Sequence, residues 1–553
     1  MSTNYEPLIP AAVAPDQRGV PYSLAYNDVY HPVWGAGEQA RRVFLHGNGL
    51  PERWQGKPVF TVCETGFGLG QNFLALWQAW RSDPQRPARL HMVSFEAHPF
   101  TQDDLRHYLL CGLTGPHALM ANELVDAWPP LLPGVHRLEF DGGRVTLTLA
   151  FGAIKRLARQ VTASVDAYFL DGFAPRVNPE MWTPSLFGQM ARMANAGATL
   201  ATWCCAGDVR RGLSVAGFVV SKVQGYGGKR EITVGKLRPG MGKVPAAASS
   251  RKSMLVVGGG LAGAGIAHAL ATRGHKVTVL DPVFAHGRSA SHRGHIAAAL
   301  TPTISIDDDV RSRLSRAGVN RALHRWQPLA CGARPQRCGT IELISDSMNA
   351  QRRRQALESL AFPSSWVRWV NAEQASQLSG LALTAGGLYF ADGQCVRPEP
   401  LLDALFDHPG ITCVAAHVHQ LKAAGDDEWL AMDTQGQPLA DAGELVLANA
   451  GQAGRLLATV PELLSLPKLQ GIFQLAGQVS YFPEQDGLVA RTVLAGDGYW
   501  LPPVGGRCVA GSTYVLNPPC SDVTHPGHVE VREKAAALLN VLPSRLGPRP
   551  GLD

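Results

Sequence analysis

The chain has 553 residues, of which 45% are hydrophobic and 17% are charged, the composition of a folded globular protein rather than a disordered one. This length predicts about three or four structural domains, and no apolar run approaches the ~20 residues of a membrane helix. The formal net charge of +6 is compatible with a polyanionic partner without establishing one. Ten cysteines without a C-x-x-C pair indicate reduced thiols, and the N-terminus lacks a secretory signal, so we expect a cytoplasmic protein.

The first 57 residues are rich in proline, glycine and aromatic side chains and show little periodicity. We predict an N-terminal cap over 1–57, with short strands at 26–30 and 42–45. From residue 58 the chain alternates between strand and helix patterns, which predicts an α/β domain over 58–236.

A glycine-rich loop follows the first strand of this domain, predicted at 59–63, and precedes a helix predicted at 72–80. An acid ahead of the glycines suits S-adenosylmethionine, whose sulfonium and ammonium groups are cationic. Glu96 ends the next predicted strand, where a carboxylate accepts hydrogen bonds from ribose hydroxyls; alone it would be an ordinary strand-end acid. We therefore predict an S-adenosylmethionine site formed by Glu64, Gly66, Gly68, Gly70 and Glu96.

A second cluster of polar residues follows the strands predicted at 145–149 and 165–170. Asp171 comes directly after the latter strand and opens a loop that contains two prolines. In an open α/β sheet, chemistry takes place beyond the carboxyl ends of the strands. Asp171 is thus a candidate functional residue, and a helix cap is the alternative.

Two basic clusters lie beside the last predicted strands of the domain, at 198–204 and 231–235. Basic pairs are usually solvated surface residues, but these flank a glycine-rich turn at the cofactor end of the sheet. We predict that they bind nucleic-acid phosphates: Arg210, Arg211, Lys229 and Arg230.

Residues 237–253 have no periodicity and are predicted to be a linker. A strand–loop–helix–strand unit then begins at Met254, with a strand over 254–257, a helix over 264–271 and a second strand over 277–280. This context makes the G-x-G-x-x-G spacing a dinucleotide site, in which the glycines approach a pyrophosphate and the late acid binds a ribose. Its residues are Gly258, Gly260, Gly263 and Asp281.

The sequence pattern predicts that the dinucleotide-binding domain extends over 254–553, with a substrate subdomain at about 338–397 and 465–515. A helix is expected at 311–326, and strands are expected at 340–343, 387–390, 417–418, 499–503 and 507–514. A buried strand that ends in a small-residue turn is expected over 444–451. Further dinucleotide contacts are expected from a polar loop, a strand beside the adenine and a small-residue turn after the buried strand: Ser291, Arg293, Val418 and Gly451.

These segments together resemble one family, the bifunctional tRNA 5-methylaminomethyl-2-thiouridine biosynthesis proteins. The resemblance spans nearly the whole chain and rests on the loop at 64–70, the segment F-L-D-G-F-A-P-R-V-N-P-E-M-W at 169–182 and G-Y-G-G-K-R-E at 225–231. It implies a Rossmann-like, S-adenosylmethionine-dependent methyltransferase domain followed by a D-amino-acid-oxidase-like, FAD-binding Rossmann domain with an inserted α+β substrate domain.

The resemblance also implies two reactions on a wobble uridine of the tRNA anticodon loop. FAD-dependent oxidation removes a carboxymethyl group from the modified uridine, and the methyltransferase half then methylates the exposed aminomethyl nitrogen. Asp171 is the expected catalytic residue, because it could take the proton of that amine or orient it. We expect a monomer with no bound metal and no membrane association.

Three departures from the family pattern stand out. Ala153 replaces a commonly acidic residue, which removes one polar contact to S-adenosylmethionine, and His292 stands where an asparagine is usual. The family also continues beyond residue 553. We therefore expect weak FAD binding and an exposed apolar edge over 499–514.

Two other interpretations stay open at this point. The chain could be a methyltransferase fused to an oxidase for a free small-molecule amine, with no nucleic acid involved. It could also be a tRNA-binding protein whose flavin half is inactive. Salt-sensitive binding of bulk tRNA would separate the first of these from the tRNA-modifying enzyme.

Overall fold

The computed structural model describes residues 5–31, 35–111, 113–226, 230–244, 253–425, 428–463, 471, 473–517 and 522–547. The chain forms two compact units, one made of Met1–Ala248 with Leu360–Pro363 and the other of Ser249–Ser359 with Ser364–Asp553. None of the helices in this part of the chain combines the length and apolar character needed to cross a membrane.

The first unit contains an eight-stranded sheet and a small three-stranded sheet. Its strands are β1 (Val13–Pro15), β2 (Pro21–Ser23), β3 (Asp28–Val29), β4 (Val59–Glu64), β5 (Arg89–Glu96), β6 (Gly134–Phe140), β7 (Val145–Phe151), β8 (Val165–Phe169), β9 (Ala194–Thr202), β10 (Phe218–Gln224) and β11 (Glu231–Leu237). Its helices are α1 (Ala36–Gln39), α2 (Gln71–Ser82), α3 (Gln102–Leu110), α4 (Gly115–Asp126), α5 (Ile154–Gln160), α6 (Pro184–Met193) and α7 (Gly207–Val215).

The strand order in the large sheet is β10-β11-β9-β8-β4-β5-β7-β6. The five central strands are parallel, and β6, β10 and β11 add antiparallel edges. Every residue of β7 and of β8 is buried, as expected for parallel strands that are covered on both faces. The carboxyl ends of β4, β5 and β8 consequently meet at one edge of the sheet, where ligands bind in this type of fold.

The strand predicted at 42–45 is wrong. The chain there forms a π-helical turn, Ala40–Leu45. The short apolar run suggests a strand, but buried Ala40, Val43 and Phe44 have the spacing i, i+3 and i+4 of one helical face, which packs into the core. Of the strand predicted at 26–30, only Asp28–Val29 forms.

The predicted linker begins too early. Leu237 is the buried last residue of β11, and Lys243 exchanges backbone hydrogen bonds with Ala194 and Ala196. These contacts make residues 237–243 part of the first unit. Residues 245–252 lie outside the described ranges.

The second unit contains a parallel sheet and a larger mixed sheet. Its strands are β12 (Met254–Val257), β13 (Val277–Leu280), β14 (Ala298–Leu300), β15 (Gln336–Arg337), β16 (Thr340–Leu343), β17 (Val367–Val370), β18 (Gly387–Phe390), β19 (Gln394–Val396), β20 (Ile411–Val414), β21 (Gln420–Ala423), β22 (Trp429–Met432), β23 (Pro438–Ala442), β24 (Glu444–Leu447), β25 (Leu475–Ala476), β26 (Val479–Pro483), β27 (Val493–Gly496), β28 (Gly498–Trp500), β29 (Arg507–Gly511) and β30 (Val515–Leu516). Its helices are α8 (Leu261–Thr272), α9 (Val310–Trp326), α10 (Ser347–Leu360), α11 (Ala372–Ser379), α12 (Pro398–Phe406), α13 (Ala453–Leu457) and α14 (His525–Leu539).

The parallel sheet has the order β20-β13-β12-β24, and α8 connects β12 to β13. The strand predicted at 417–418 is wrong, because β13 pairs instead with Ile411–Val414. Val418 lies in the connection that follows, where its side chain is buried. β24 is only partly buried, contrary to the expectation for residues 444–447, because it lies at the edge of this sheet.

The larger sheet has the order β17-β18-β16-β27-β28-β29-β26 and draws its strands from both segments of the predicted substrate subdomain. The expected exposed edge over 499–514 is wrong for its strands. Trp500 and Val509 are fully buried, because β28 and β29 lie inside the sheet and α14, which the sequence pattern did not predict, packs against it. Tyr514, beyond β29, is exposed.

Candidate active site and dinucleotide site

A cavity of about 400 Å³ lies at the carboxyl ends of the central strands of the first unit. Its wall brings together the loop after β4, the end of β5 and the segment after β8, all of which the sequence placed at the same edge. The lining residues used below are Tyr26, Tyr30, Gly66, Gly68, Asn72, Glu96, Ala153, Asp171, Phe173, Trp203 and Tyr226.

The glycine loop lies close against the Asp171 segment. A Cβ atom on Gly66 would lie 3.1 Å from the Asp171 carbonyl oxygen, and one on Gly70 would lie 2.8 Å from the Phe67 ring, with φ at +75°. The Thr65 hydroxyl donates to the same Asp171 carbonyl at 2.7 Å. Glycine therefore lets this loop turn into α2 while its backbone remains exposed to the cavity.

Glu64 lies behind the loop, with no exposure to solvent. Its carboxyl group accepts hydrogen bonds from the Asn72 side-chain amide at 2.8 Å and from the Ser94 hydroxyl at 2.6 Å. Burial raises the pKa of Glu64 well above its ordinary value, and the nearby charge of Asp171 raises it further. Glu64 thus supports the loop from inside the protein, in contrast to the cavity-lining position of Glu96.

Glu96 is held in place by the backbone. The N–H groups of Gly68 and His98 donate to its two carboxylate oxygens, each at 2.8 Å. The Gly68 contact connects the end of β5 to the glycine loop. A carboxylate fixed in this way at a cavity wall retains acceptor capacity for the hydroxyls of a ribose.

Asp171 also lines the cavity wall. The Asn72 amide donates to its Oδ2 at 2.8 Å, and the N–H of Gly172 donates to Oδ1 at 2.9 Å. Burial raises the pKa of Asp171 from 3.8 to about 6, although the hydrogen bonds from Asn72, Gly172 and Trp203 act in the opposite direction. A carboxylate with a pKa close to neutrality is suited to accept a proton from a bound amine.

Aromatic rings from the N-terminal segment cover the Asp171 loop. Tyr26 stacks on Phe173 with ring centroids 4.7 Å apart, and Tyr30 meets the same ring edge-on at 5.2 Å. Asp28 accepts a hydrogen bond from the N–H of Ala174 at 3.1 Å. Burial raises the pKa of both tyrosines, so both hydroxyls stay neutral.

Sequence reasoning missed Asn72, Tyr26, Tyr30 and Trp203. The position of Asn72, two residues after Gly70 in the first turn of α2, was a usable signal. Trp203 directly follows β9, at the carboxyl end of a central strand, which was also a usable signal. Tyr26 and Tyr30 carry no signal of their own, because their approach to Asp171 depends on the path of the cap. Ala153 also lines the cavity, at the start of α5, and offers no side-chain hydrogen bond there.

The predicted basic residues are only partly brought together. The charges of Arg210 on α7 and of Arg230 before β11 both lower the pKa of Glu231. The largest cause of this lowering is the hydrogen bond that Glu231 accepts from Lys222. Arg211 forms an ion pair with Asp208. Lys229 lies outside the described residues.

The dinucleotide motif of the second unit forms a tight crossing of backbone. A Cβ atom on Gly258, where φ is +115°, would lie 2.5 Å from the Ala448 carbonyl oxygen, and one on Gly263 would lie 1.9 Å from the Gly258 carbonyl oxygen. Nothing lies within 4 Å of a Cβ on Gly260, which precedes the first residue of α8. The amino end of this helix therefore remains open to a pyrophosphate.

Asp281 and Ser291 lie beside this motif. Asp281 accepts hydrogen bonds from the N–H of Gly259 at 2.7 Å and of Val283 at 2.9 Å, and the Ser291 hydroxyl donates to the Gly259 carbonyl at 3.0 Å. Sequence reasoning missed Asn449, whose backbone N would lie 2.8 Å from a Cβ on Gly258. Its buried Oδ1 has no hydrogen-bond partner within the described part of the chain. These features fit a dinucleotide.

The other predicted contacts lie in different surroundings. Arg293 is exposed and donates to the His286 carbonyl at 2.6 Å. The Gly451 carbonyl accepts from the Gln474 side chain at 3.0 Å. Val418 belongs to a buried apolar cluster that also contains Val257 and Leu280, the last residues of β12 and β13. It therefore packs beneath the strands that carry Gly258 and Asp281, whereas the hydrogen bonds of Arg293 and Gly451 go to other parts of the unit.

Comparison with known proteins assigns both halves of the chain. A family model described as S-adenosyl-L-methionine-dependent methyltransferase matches residues 116–238, and one described as FAD dependent oxidoreductase matches residues 253–551. A protein of Azoarcus sp. (strain BH72) named tRNA 5-methylaminomethyl-2-thiouridine biosynthesis bifunctional protein MnmC is 42% identical over 549 residues, which cover 98% of this chain and 84% of that protein. The protein of the same name from Aromatoleum aromaticum is 42% identical over 543 residues, covering 97% and 83%. This chain belongs to that family.

As a member of the bifunctional tRNA 5-methylaminomethyl-2-thiouridine biosynthesis family, the chain joins an S-adenosylmethionine-dependent methyltransferase to an FAD-dependent oxidoreductase. The predicted fold class and both cofactors are confirmed. Among solved structures, a glycine oxidase from Geobacillus kaustophilus is 21% identical and covers 52% of this chain and 77% of its own, with a TM-score of 0.39.

Proposed function

We propose that this chain modifies the wobble uridine of tRNA in two consecutive reactions. The second unit oxidises the secondary amine of a 5-carboxymethylaminomethyl group, and the carboxymethyl substituent is released. The first unit then transfers a methyl group from S-adenosylmethionine to the aminomethyl nitrogen. The observation that carries the proposal is that the glycine loop, Glu96 and Asp171 all line the same cavity.

The charges of this cavity suit both reactants of the methylation. S-adenosylmethionine carries a sulfonium and an ammonium group, and the aminomethyl substrate is an ammonium ion in water, whereas Glu96 and Asp171 line the cavity wall. The amine must lose its proton before its lone pair can attack the methyl group. Asp171, with its pKa of about 6, accepts that proton and orients the nitrogen.

In the second unit the proposed FAD contacts are the crossing at Gly258 and Gly263, the amino end of α8, Asp281 and Ser291. FAD, when bound, would accept the two electrons taken from the CH–NH group of the substrate as its C–N bond becomes C=N. Water then hydrolyses this imine, which leaves the aminomethyl group on the uridine and releases the carboxymethyl carbons as glyoxylate. Val418, Gly451 and Arg293 are further proposed contacts. Val418 packs with the last residues of β12 and β13, whereas Arg293 and the Gly451 carbonyl hydrogen-bond to His286 and Gln474.

Arg210, Arg211, Lys229 and Arg230 are the proposed phosphate contacts of the tRNA. Each phosphate contact releases counterions, so tRNA binding should weaken steeply with salt. Since the proposed substrate is tRNA and the cysteines of the described residues are free thiols, we place the protein in the cytoplasm. The monomeric state expected from the sequence stays a prediction.

Nucleoside mass spectrometry of tRNA tests this function in cells that lack the gene and then regain it. The wild-type chain should restore 5-methylaminomethyl uridine. An Asp171→Asn chain should leave the unmethylated aminomethyl nucleoside, and a Gly263→Val chain should leave the carboxymethylaminomethyl nucleoside. Unchanged nucleosides on adding back the wild-type chain would contradict the proposal, and so would full methylation by Asp171→Asn.

A further inference from the structure

One exposed aromatic side chain borders the methyltransferase cavity without belonging to its core. Tyr226 lies in the hairpin between β10 and β11, where the N–H of Gly225 donates to the Arg230 carbonyl at 3.0 Å. Its ring lines the same cavity as Asp171 and is 41% exposed. Tyr226 thus faces both solvent and the cavity, a position from which an aromatic ring can contact a bound ligand.

The ring of Tyr226 is bordered by cations. The Arg42 guanidinium, from the π-helical turn, lies 5.1 Å from the ring centroid. Arg42 is itself oriented by an ion pair with Glu38 at 2.9 Å. Arg230 is exposed in the same hairpin as Tyr226. An aromatic ring, the Arg42 guanidinium over it and the exposed Arg230 of the same hairpin therefore lie at or beside the wall of the cavity.

We propose that Tyr226 is a nucleobase-stacking residue, which holds the target pyrimidine of the RNA at the mouth of the cavity while its aminomethyl arm reaches Asp171. Single-stranded RNA is bound in this manner, with unstacked bases lying on aromatic rings or guanidinium planes and phosphates contacting nearby cations. The proposal rests on the tRNA methylation proposed above, to which it adds the residue that positions the base.

The other aromatic rings of the cavity are less suited to this task. Tyr26 and Phe173 stack on each other at 4.7 Å with an interplanar angle of 25°. Each also meets a further ring edge-on, His98 for Tyr26 and Tyr30 for Phe173, so both are packed inside an aromatic cluster. Tyr30 packs between Phe173 and Phe100. These rings are packed against one another beside Asp171, whereas Tyr226 lines the cavity and is 41% exposed.

Steady-state methylation by the full-length protein tests this assignment, with tRNA that carries 5-aminomethyl uridine as substrate. Tyr226→Leu removes the ring, and we expect KM for tRNA to rise about tenfold to a hundredfold, the loss of one stacked base. The value of kcat should stay within about threefold, and the Kd for S-adenosylmethionine from calorimetry should not change. Tyr226→Phe, which keeps the ring, should restore KM.

Two comparisons make the result specific. Tyr514→Leu removes another exposed tyrosine, 64% exposed and in the second unit, and should leave the KM of methylation unchanged. Arg230→Gln should reduce the salt dependence of tRNA binding by about one phosphate contact, whereas Tyr226→Leu should keep the wild-type slope.

An unchanged KM for Tyr226→Leu would overturn the proposal, and so would a parallel loss of S-adenosylmethionine affinity, which would make Tyr226 part of the cofactor site. Failure of the wild-type chain to methylate this tRNA would instead contradict the proposed function. Thermal unfolding of each variant shows that the comparisons concern folded protein.

Discussion

At the scale of single residues, Asp171 has two roles. Its backbone carbonyl accepts a hydrogen bond from the glycine loop, and its carboxylate lines the cavity. We predict that the rate of methylation at saturating S-adenosylmethionine rises with pH up to about 6 and then levels, because only the ionised carboxylate accepts the proton. Asp171→Asn should lower kcat by at least about a hundredfold and abolish this inflection, while the Kd for S-adenosylmethionine stays near the wild-type value. Methyl-transfer rates between pH 5 and 8 measure this.

The same carboxylate should affect stability in a defined direction. Its pKa is raised in the folded state, so the unfolded chain ionises first as the pH rises from 3.8 towards 6, and folding loses stability across that interval. Asp171→Asn should therefore be more stable than the wild type at pH 8, with a difference that shrinks as the pH falls to 5. A variant less stable than the wild type at pH 8 would show that the Asp171 hydrogen bonds outweigh its burial.

Asn72 connects Glu64 and Asp171, because its single amide group donates to both carboxyl groups at 2.8 Å. Asn72→Leu leaves one oxygen of each acid without this donor. We predict that the inflection in the methylation rate moves above pH 6 and that the free energy of unfolding falls by about 1–3 kcal/mol. The pH–rate profile and urea unfolding measure these two effects.

Asn122→Leu provides the matched control for that experiment. Its amide also donates at 2.8 Å, but to the Ala118 carbonyl one turn earlier in α4. The pH–rate profile of this variant should match that of the wild type. An Asn72→Leu profile indistinguishable from the control would mean that Asn72 does not influence the ionisation of Asp171.

At the scale of elements, the sequence predicted best where a strand, a glycine loop and a helix follow one another directly. The units β4–loop–α2 and β12–loop–α8 have apolar runs, glycines and acids at fixed local spacings, so their form depends little on distant parts of the chain. The turn Ala40–Leu45 and residues 417–418 depend on packing partners far away in sequence, and both were predicted as strands. β6 was missed because its antiparallel pairing with β7 leaves alternate residues exposed and gives only a weak apolar pattern.

The close approach of β12 and α8 predicts different effects of alanine at Gly263 and at Gly265. A Cβ on Gly263 would lie 1.9 Å from the Gly258 carbonyl oxygen, whereas a Cβ on Gly265, two residues later in α8, meets nothing within 4 Å. Gly263→Ala should therefore displace the motif and lower the flavin absorbance per chain severalfold. Gly265→Ala should keep the wild-type flavin content and stabilise α8 by about 0.5–1 kcal/mol. Equal flavin content in the two variants would contradict the role assigned to Gly263.

At the scale of the whole molecule, each unit has hydrophobic clusters of its own. The clusters beneath the methyltransferase cavity draw on residues between Leu8 and Leu237, and those of the second unit draw on residues between Met254 and Leu546. Cooperative unfolding follows such cores. Two chemistries that differ in cofactor and in reaction are thus supported by separately packed structures within one chain.

We therefore predict that the fragment 1–248 folds without the rest of the chain and binds one S-adenosylmethionine. The glycine loop, Glu96, Asp171 and the apolar clusters that support them all lie within its described residues, so its Kd should lie within about threefold of the value for the full chain, a difference below ~0.7 kcal/mol. Titration calorimetry measures this, and Glu96→Ala in the same fragment serves as the control that should weaken binding. Absence of heat at millimolar cofactor from a fragment with native-like circular dichroism would show that the cavity requires residues of the second unit.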